Sequence, residues 1–264
     1  MKYAREMAII LKFWKTSFIQ MMEYRANFVF SIIANTIDFI FGLLQYVFFF
    51  TVTDNLAGWD ENSMLTLYCV FMCVFAVQFL FFYPNLEAIS EMVNNGNLDL
   101  LLSKPLNTLL LVSFRRISLQ DSGTLFAGIA LFLWLIISGR LVLTFQSFLF
   151  FIFALAASIM IVYSIFLLLI SLSIKSEKME DLASFTWAIF AAARYPVDIF
   201  PKKIRIVFLT AIPIGYISSI PAAVLTGKAG FGAVFAALFV SLLCICLSVK
   251  LFYASLRNYT SAGG

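Results

Sequence analysis

The chain has 264 residues, 62% of them hydrophobic and only 12% charged, with a mean hydropathy of +0.99. A soluble domain of this size carries about 25% charged residues to cover its surface, so a water-soluble protein is excluded. The net charge of +4 is small and no run of Lys and Arg is interleaved with aromatics, which excludes nucleic acid as a partner.

The apolar residues come in blocks long enough to match the ~20 residues that cross a ~30 Å hydrocarbon core. The expectation is an all-α integral membrane protein, one domain over 1–264 with six transmembrane helices. No cleavable leader is apparent in MKYAREMAIILKFWK, so insertion is expected to use the first span.

Residues 1–25 precede that span. Tyr3, Met7, Ile10, Trp14, Phe18 and Met21 recur at helical spacing, and Lys2, Arg5, Lys12 and Lys15 lie largely away from them. Such a basic amphipathic helix lies in the membrane interface, unless it merely extends the first span.

Span 1 is predicted at 27–52. Ser31, Asn35, Asp38, Gly42 and Gln45 form one polar stripe along it. Polar groups avoid hydrocarbon, so the stripe lines a substrate path or a subunit interface, or joins neighbouring spans by ordinary helix packing. Span 2 is predicted at 64–84, with Pro84 as its end. Cys69, Cys73, Cys244 and Cys246 all lie in apolar blocks and the chain has no His. They read as small buried hydrophobes rather than metal ligands.

Residues 85–107 are unusually structured for a connector. A short helix over 86–94 places Leu86, Ile89 and Val93 on one face and Glu87 and Glu91 on another. Asn94, Asn95 and Gly96 stop it, with Gly96 free to take positive φ. Leu98 to Leu102, including Asp99, make a second apolar patch, and Lys104-Pro105 closes the unit.

Spans 3 to 6 are predicted at 118–138, 145–172, 182–200 and 230–255. Near the end of span 5 stands Arg194-Tyr-Pro-Val-Asp-Ile-Phe-Pro201. Arg194 is expected to reach the headgroups, to pair with Asp198 at i+4, or to grip an anionic headgroup of a substrate. The segment 197–228 has an apolar stretch long enough to cross. Pro213 and Pro221 are expected to break it twice, giving short helices dipping into the outer leaflet.

With the N-terminus inside, six of the 18 Lys and Arg fall outside, Arg140, Arg194, Lys202, Lys203, Arg205 and Lys228, and the other twelve fall inside. The positive-inside rule then places both termini in the cytoplasm. The chain has no G-x-x-x-x-G-K-[ST], H-E-x-x-H or G-x-S-x-G and no clustered intramembrane carboxylates, so no catalytic site is expected in it.

Three stretches carry a resemblance over essentially the whole chain: EYR at 23–25, GNLDLLLSKPLN at 96–107, and RYPVDIFPKKIR at 194–205 followed by Ile-Pro at 212–213 and 220–221. The chain resembles the permease subunits of ABC-2-type transporters, in their bacterial six-span branch. The resemblance implies a subunit of the bacterial inner membrane, driven by a separate cytoplasmic ATPase dimer that carries ATP and Mg, with no cofactor on this chain. It makes 85–107 the coupling segment, with Glu87, Glu91, Asn94, Gly96, Asp99, Lys104 and Pro105 at the ATPase contact. It makes 197–228 a cap, with Arg194, Pro196, Pro201, Pro213 and Pro221 as its outer gate. It implies a second permease chain, a heterodimer being favoured over a homodimer, membrane lipid around both, and export of a drug, lipid, glycan or peptide. An ion- or proton-coupled carrier using Asp38 is the alternative, and a non-transporting membrane subunit a third reading.

Overall fold

A computed structural model describes residues 2–175, 187–257 and 259, with the backbone alone for 2–5, 90, 94 and 175. The described residues are helical apart from turns and one isolated bridge, Leu56 to Trp59. Four helices are long and apolar enough to cross a membrane, or five if one bent pair is counted as a span. The protein is a multi-pass membrane protein.

Helix α1, Lys2–Glu23, has three faces rather than the two expected. Ile10 and Ser17 are buried, Phe13 packs against the core, and the Trp14 indole N–H donates to the Phe114 carbonyl at 2.8 Å. Met7, Leu11 and Phe18 form a second, exposed apolar strip, and Lys12 and Lys15 stand exposed on the third side. The predicted apolar face thus splits: Ile10, Trp14 and Met21 turn toward protein, Met7 and Phe18 away from it.

Helix α2, Arg25–Phe49, follows after one turn residue. Its inward edge is Phe39 and Tyr46, with Ile32 and Leu43 half-buried, and only 6% of its apolar window is buried. A tight turn then pairs Leu56 with Trp59 by two backbone hydrogen bonds, with Ala57 and Gly58 both at positive φ. That is the two-residue hairpin geometry for which Gly is suited, and it drives the Trp59 ring into the protein, where it is 2% exposed.

Helices α3, Glu61–Phe81, and α4, Tyr83–Asn94, together form the central rod. In the stretch Glu61–Val93, 72% of the apolar window is buried. Pro84 does not end the span: it lies in the first turn of α4, where no backbone N–H is needed. After α5, Leu98–Leu102, an unforeseen helix α6, Thr108–Phe114, begins where the Asn107 side chain accepts from the Leu109 and Leu110 amides. Helix α7 covers Ser122–Ile137, starting later than the predicted span 3. At 16 residues it is shorter than a full crossing.

Helix α8, Phe145–Lys175, lies along the last helix, α12, Phe231–Arg257, in the most extensive helix pairing of the molecule. The predicted start of span 5 at 182–186 falls outside the described residues. Helix α9 is described over 187–193. It turns at Arg194 into α10, Lys202–Thr210, then at Pro213 into α11, Ser219–Leu225. The α10 and Ile214–Leu225 arms meet at 74°. Only Pro213 sits at that break. Pro221 is the third residue of α11, in its first turn, and so opens a helix instead of breaking one.

Candidate functional site

At one end of the bundle, α4, α5 and α6 build a compact unit. Leu86, Ile89, Leu98 and Leu101 are buried and seat it on the bundle. Gly96 adopts φ +67°, and the Asn97 amide returns to the Met92 carbonyl at 2.8 Å, so the chain reverses within the NNG turn. Asn94 is the last residue of α4. Glu87, Glu91, Asp99 and Pro105 face outward, and among the described residues none of the three acids has an ion-pair partner. Lys104 instead lies 5.7 Å from the Phe13 ring of α1, and Arg115 lies 5.9 Å from the same ring. The N-terminal helix is therefore clasped to this unit by Phe13 and Trp14.

The pin of the unit is Asn85, 2% exposed, which carried no signal in the sequence reading. Its amide donates to the Phe81 and Arg116 carbonyls at 2.6 and 2.8 Å and accepts from the Arg116 amide at 2.8 Å. One side chain thus ties the rod to the strand of chain leading into α7.

The polar stripe of α2 divides into two groups. Asn35 donates to the Gln120 carbonyl and the Asp121 carboxylate at 3.0 and 3.2 Å, and Gly42 lies directly under the Tyr68 hydroxyl, where a Cβ would collide. Ser31 bonds back to Asn27 in its own helix. Those three serve packing. Asp38 and Gln45 are exposed and meet no partner among the described residues.

Asp38 lies on an open flank whose floor is the rod. The Tyr68 hydroxyl donates to the Phe39 carbonyl at 2.7 Å, and the charges of Arg194 and Asp38 both act on it. The Tyr46 hydroxyl donates to the Arg194 carbonyl at 2.7 Å, joining α2 to the end of α9. The Arg194 guanidinium does not pair with Asp198: it lies over the Phe71 ring at 5.8 Å. From there Phe71, Phe75, Phe79 and Tyr83 form a ladder of rings down the rod, 5.7, 4.4 and 4.7 Å apart, edged by Trp187 and Phe190 of α9. The sequence holds that ladder as an aromatic at every fourth position, a spacing that stacks side chains on one helix face. The flank between α2 and α9 thus carries one exposed acid, Asp38, and one exposed base, Arg194, above a ladder in which Phe71 is buried and Phe75, Phe79 and Tyr83 are half-buried.

At the other end, the segment 197–228 begins and finishes on the same tryptophan. The Trp59 indole N–H donates to Asp198 at 3.1 Å, and Asp198 pairs with Arg205 at 2.8 Å. Lys228 donates to the Gly58 carbonyl at 2.7 Å, lies 3.5 Å from Asp60 and stacks 5.7 Å over the Trp59 ring. The Ser158 hydroxyl donates to Tyr216 O at 2.7 Å, Ser218 to Ala193 O, and the Val197 amide to Ser219. The segment is a hairpin sewn to α8 and α9 by serines that sequence reading passed over. Pro196 and Pro213 are buried in it, as is Pro221, and Pro201 is exposed where it caps α10.

A family model described as ABC-2 family transporter protein matches residues 11–263. No curated protein and no solved structure matches the chain.

Proposed function

The chain belongs to the ABC-2 transporter family, and from that premise we propose that it is the permease subunit of an ATP-driven exporter, worked by a separate ATPase dimer. The observation that carries this reading is the α4–α5 unit. It is anchored by Leu98 and Leu101, shaped by the positive φ of Gly96, and left with Glu87, Glu91 and Asp99 outward and unpaired. A structured projection with unspent charge suits a protein partner, since opposite charges across an interface fix register and speed encounter. The end with the larger share of Lys and Arg is then cytoplasmic, with α1 lying in the interface: its Met7, Leu11 and Phe18 strip meets acyl chains while Lys12 and Lys15 meet headgroups.

The six spans of this reading are α2, the rod, α7, α8, the helix ending at 193, and α12. The hairpin 197–228 is re-entrant, because both its ends return to Trp59. From Pro213 to Tyr216 its turn is buried, with Tyr216 bonded to Ser158 of α8, as backbone at membrane depth requires.

Asp38 lies midway along α2, and a carboxylate facing lipid there costs about 2.5–3.5 kcal/mol. The α2–α9 flank is accordingly covered in the working assembly, by the second permease chain and by cargo. The aromatic ladder with Arg194 at its head suits a hydrophobic or amphipathic molecule bearing an anionic group.

Co-purification of the chain with an ATPase, and nucleotide-dependent transport by the pair, tests the reading. Glu91→Arg and Gly96→Pro should each abolish ATPase association or uncouple hydrolysis from transport. Full transport by both variants would sink the coupling role. Asp38, unpaired at mid-span, also supports a proton-coupled carrier. Transport in ATP-free vesicles that collapses with the proton gradient and with Asp38→Asn would establish that alternative.

A further inference from the structure

A second feature of the molecule lies away from the flank and from both polar ends. Between α8, α9, α12 and the break of the hairpin is a cavity of about 610 Å³. Its walls among the described residues are mainly aliphatic, Leu168, Leu172, Leu243, Leu247 and Leu251 among them, and its ceiling is Thr210 to Pro213. Of the four hydroxyls that reach it, all but that of Ser255 are already spent. Ser164, Ser171 and Thr210 bond to the carbonyls of Met160, Leu167 and Ile206 in their own helices. The described lining is therefore mainly apolar, with Ser255 as its free hydroxyl, and an apolar cavity of even ~150 Å³ binds apolar molecules readily.

The cavity opens sideways. Leu172, Leu243, Leu247 and Leu251 line it and are each about half exposed, at 51, 47, 50 and 50%. Along α12 the residues Leu243, Leu247, Lys250, Ala254 and Arg257 recur at helical spacing and are all exposed. Lys250 and Arg257 stand exposed along the edge of that face, beside the cavity lining. Neither has an ion-pair partner among the described residues.

We propose that this cavity is a phospholipid site: an anionic lipid places one acyl chain against the hairpin break, and its phosphate meets Lys250 and Arg257. The shape fits a molecule with a long apolar tail and a negative head at one end of the bundle. The proposal goes beyond the exporter reading, because the bound lipid is a resident of the fold and not the cargo. Its tail props the tip between α10 and α11, which among the described residues is the wall of the cavity that is not a continuous helix.

The test uses the full chain, with any subunits that co-purify, in phosphatidylcholine vesicles. A trace of phosphatidylglycerol carries a photoactivatable group at mid-chain, and the same label on phosphatidylcholine serves as control. Adducts are mapped by peptide mass spectrometry. The expected result is labelling concentrated on 164–174, 209–213 and 243–255, stronger for phosphatidylglycerol. Leu247→Trp, which fills the cavity, should remove these adducts and leave those on α2 unchanged. Lys250→Gln should lower phosphatidylglycerol labelling about fivefold toward the phosphatidylcholine level. If Leu247→Trp fails to fold, Cys244→Phe obstructs the same space from a second position. Adducts spread evenly over α2, α7 and α12, or unaltered by folded variants, would overturn the proposal. Equal labelling by the two lipids would overturn the anionic headgroup. Loss of ATPase association would sink the exporter reading and leave these results as they are.

Discussion

The two ends of the bundle hold their short helices in different ways. At the α4–α5 end no described tie is an ion pair: the Asn85 amide lies on Arg116 backbone, the Trp14 indole on Phe114, Lys104 and Arg115 over the Phe13 ring, and leucines are buried. The acids there are left unpaired. At the Trp59 end the ties are ionic: Asp198 with Arg205, Lys228 with Asp60, and Arg140 with Glu61 at 3.5 Å. On the exporter reading, the end that receives a partner keeps its acids free, and the end that opens and closes is fastened by ion pairs that exchange readily with water.

The largest test of this contrast is Asn85→Leu. It strands the Arg116 amide and two carbonyls, and should cost about 3 kcal/mol, read as a lower unfolding midpoint in detergent at any ionic strength. A near-normal midpoint would show that the neutral tie is dispensable. Next is Gly96→Ala, which puts a Cβ at φ +67°. It should cost about 1–2 kcal/mol and speed amide exchange at 94–98 without touching the Trp59 end. Third, Asp198→Asn should loosen 197–228 by about 1 kcal/mol, since the pair is partly solvated. High salt should reproduce that loosening in the wild type and leave 85–107 unchanged.

The smallest effect concerns acid. Partial burial pushes the Asp60 carboxyl up, but the Ser63 hydroxyl, its backbone hydrogen bond and Lys228 outweigh that and hold it below the ordinary value of 3.8. A depressed carboxyl stabilises the fold above its unfolded value, and that contribution is lost as pH falls through the folded one. Exchange at 58–63 and 226–229 should therefore rise only below about pH 4, and Asp60→Asn should remove the dependence. An unchanged acid profile in that variant would show that Asp60 does not fasten this end.

Much of the architecture was legible because hydrocarbon imposes simple demands. The apolar blocks gave α2, the rod, α8 and α12, and NNG gave the reversal at Gly96. What hydropathy could not give was direction. It registers that Met7 and Ile10 are both apolar, not that one faces away from protein and the other into it. It saw Pro84 and Pro221 as stops because proline lacks an N–H. Position decides, and in a first turn that N–H is not needed. Asn85, Ser158 and Ser218 were invisible for a related reason: each acts on backbone far along the chain, and no local spacing records that. The split of the α2 stripe likewise depends on where α7 approaches. Asn35 finds Gln120 and Asp121 there, and Asp38, three residues on, finds no hydrogen-bond or ion-pair partner among the described residues.

The rod from Glu61 to Val93 has a consequence of its own. Its 33 residues make it about 50 Å long, well beyond the ~30 Å of hydrocarbon around it. One end is fixed beside Trp59, and the other carries the NNG turn. Geometry then sets a gain: a tilt of about 10° about the Trp59 end sweeps the turn through roughly 9 Å for a rod of this length. Read in reverse, a push of a few ångströms on the turn reaches Trp59 as a rotation of only a few degrees. Trp59, held between Asp198 and Lys228, is where that small rotation arrives.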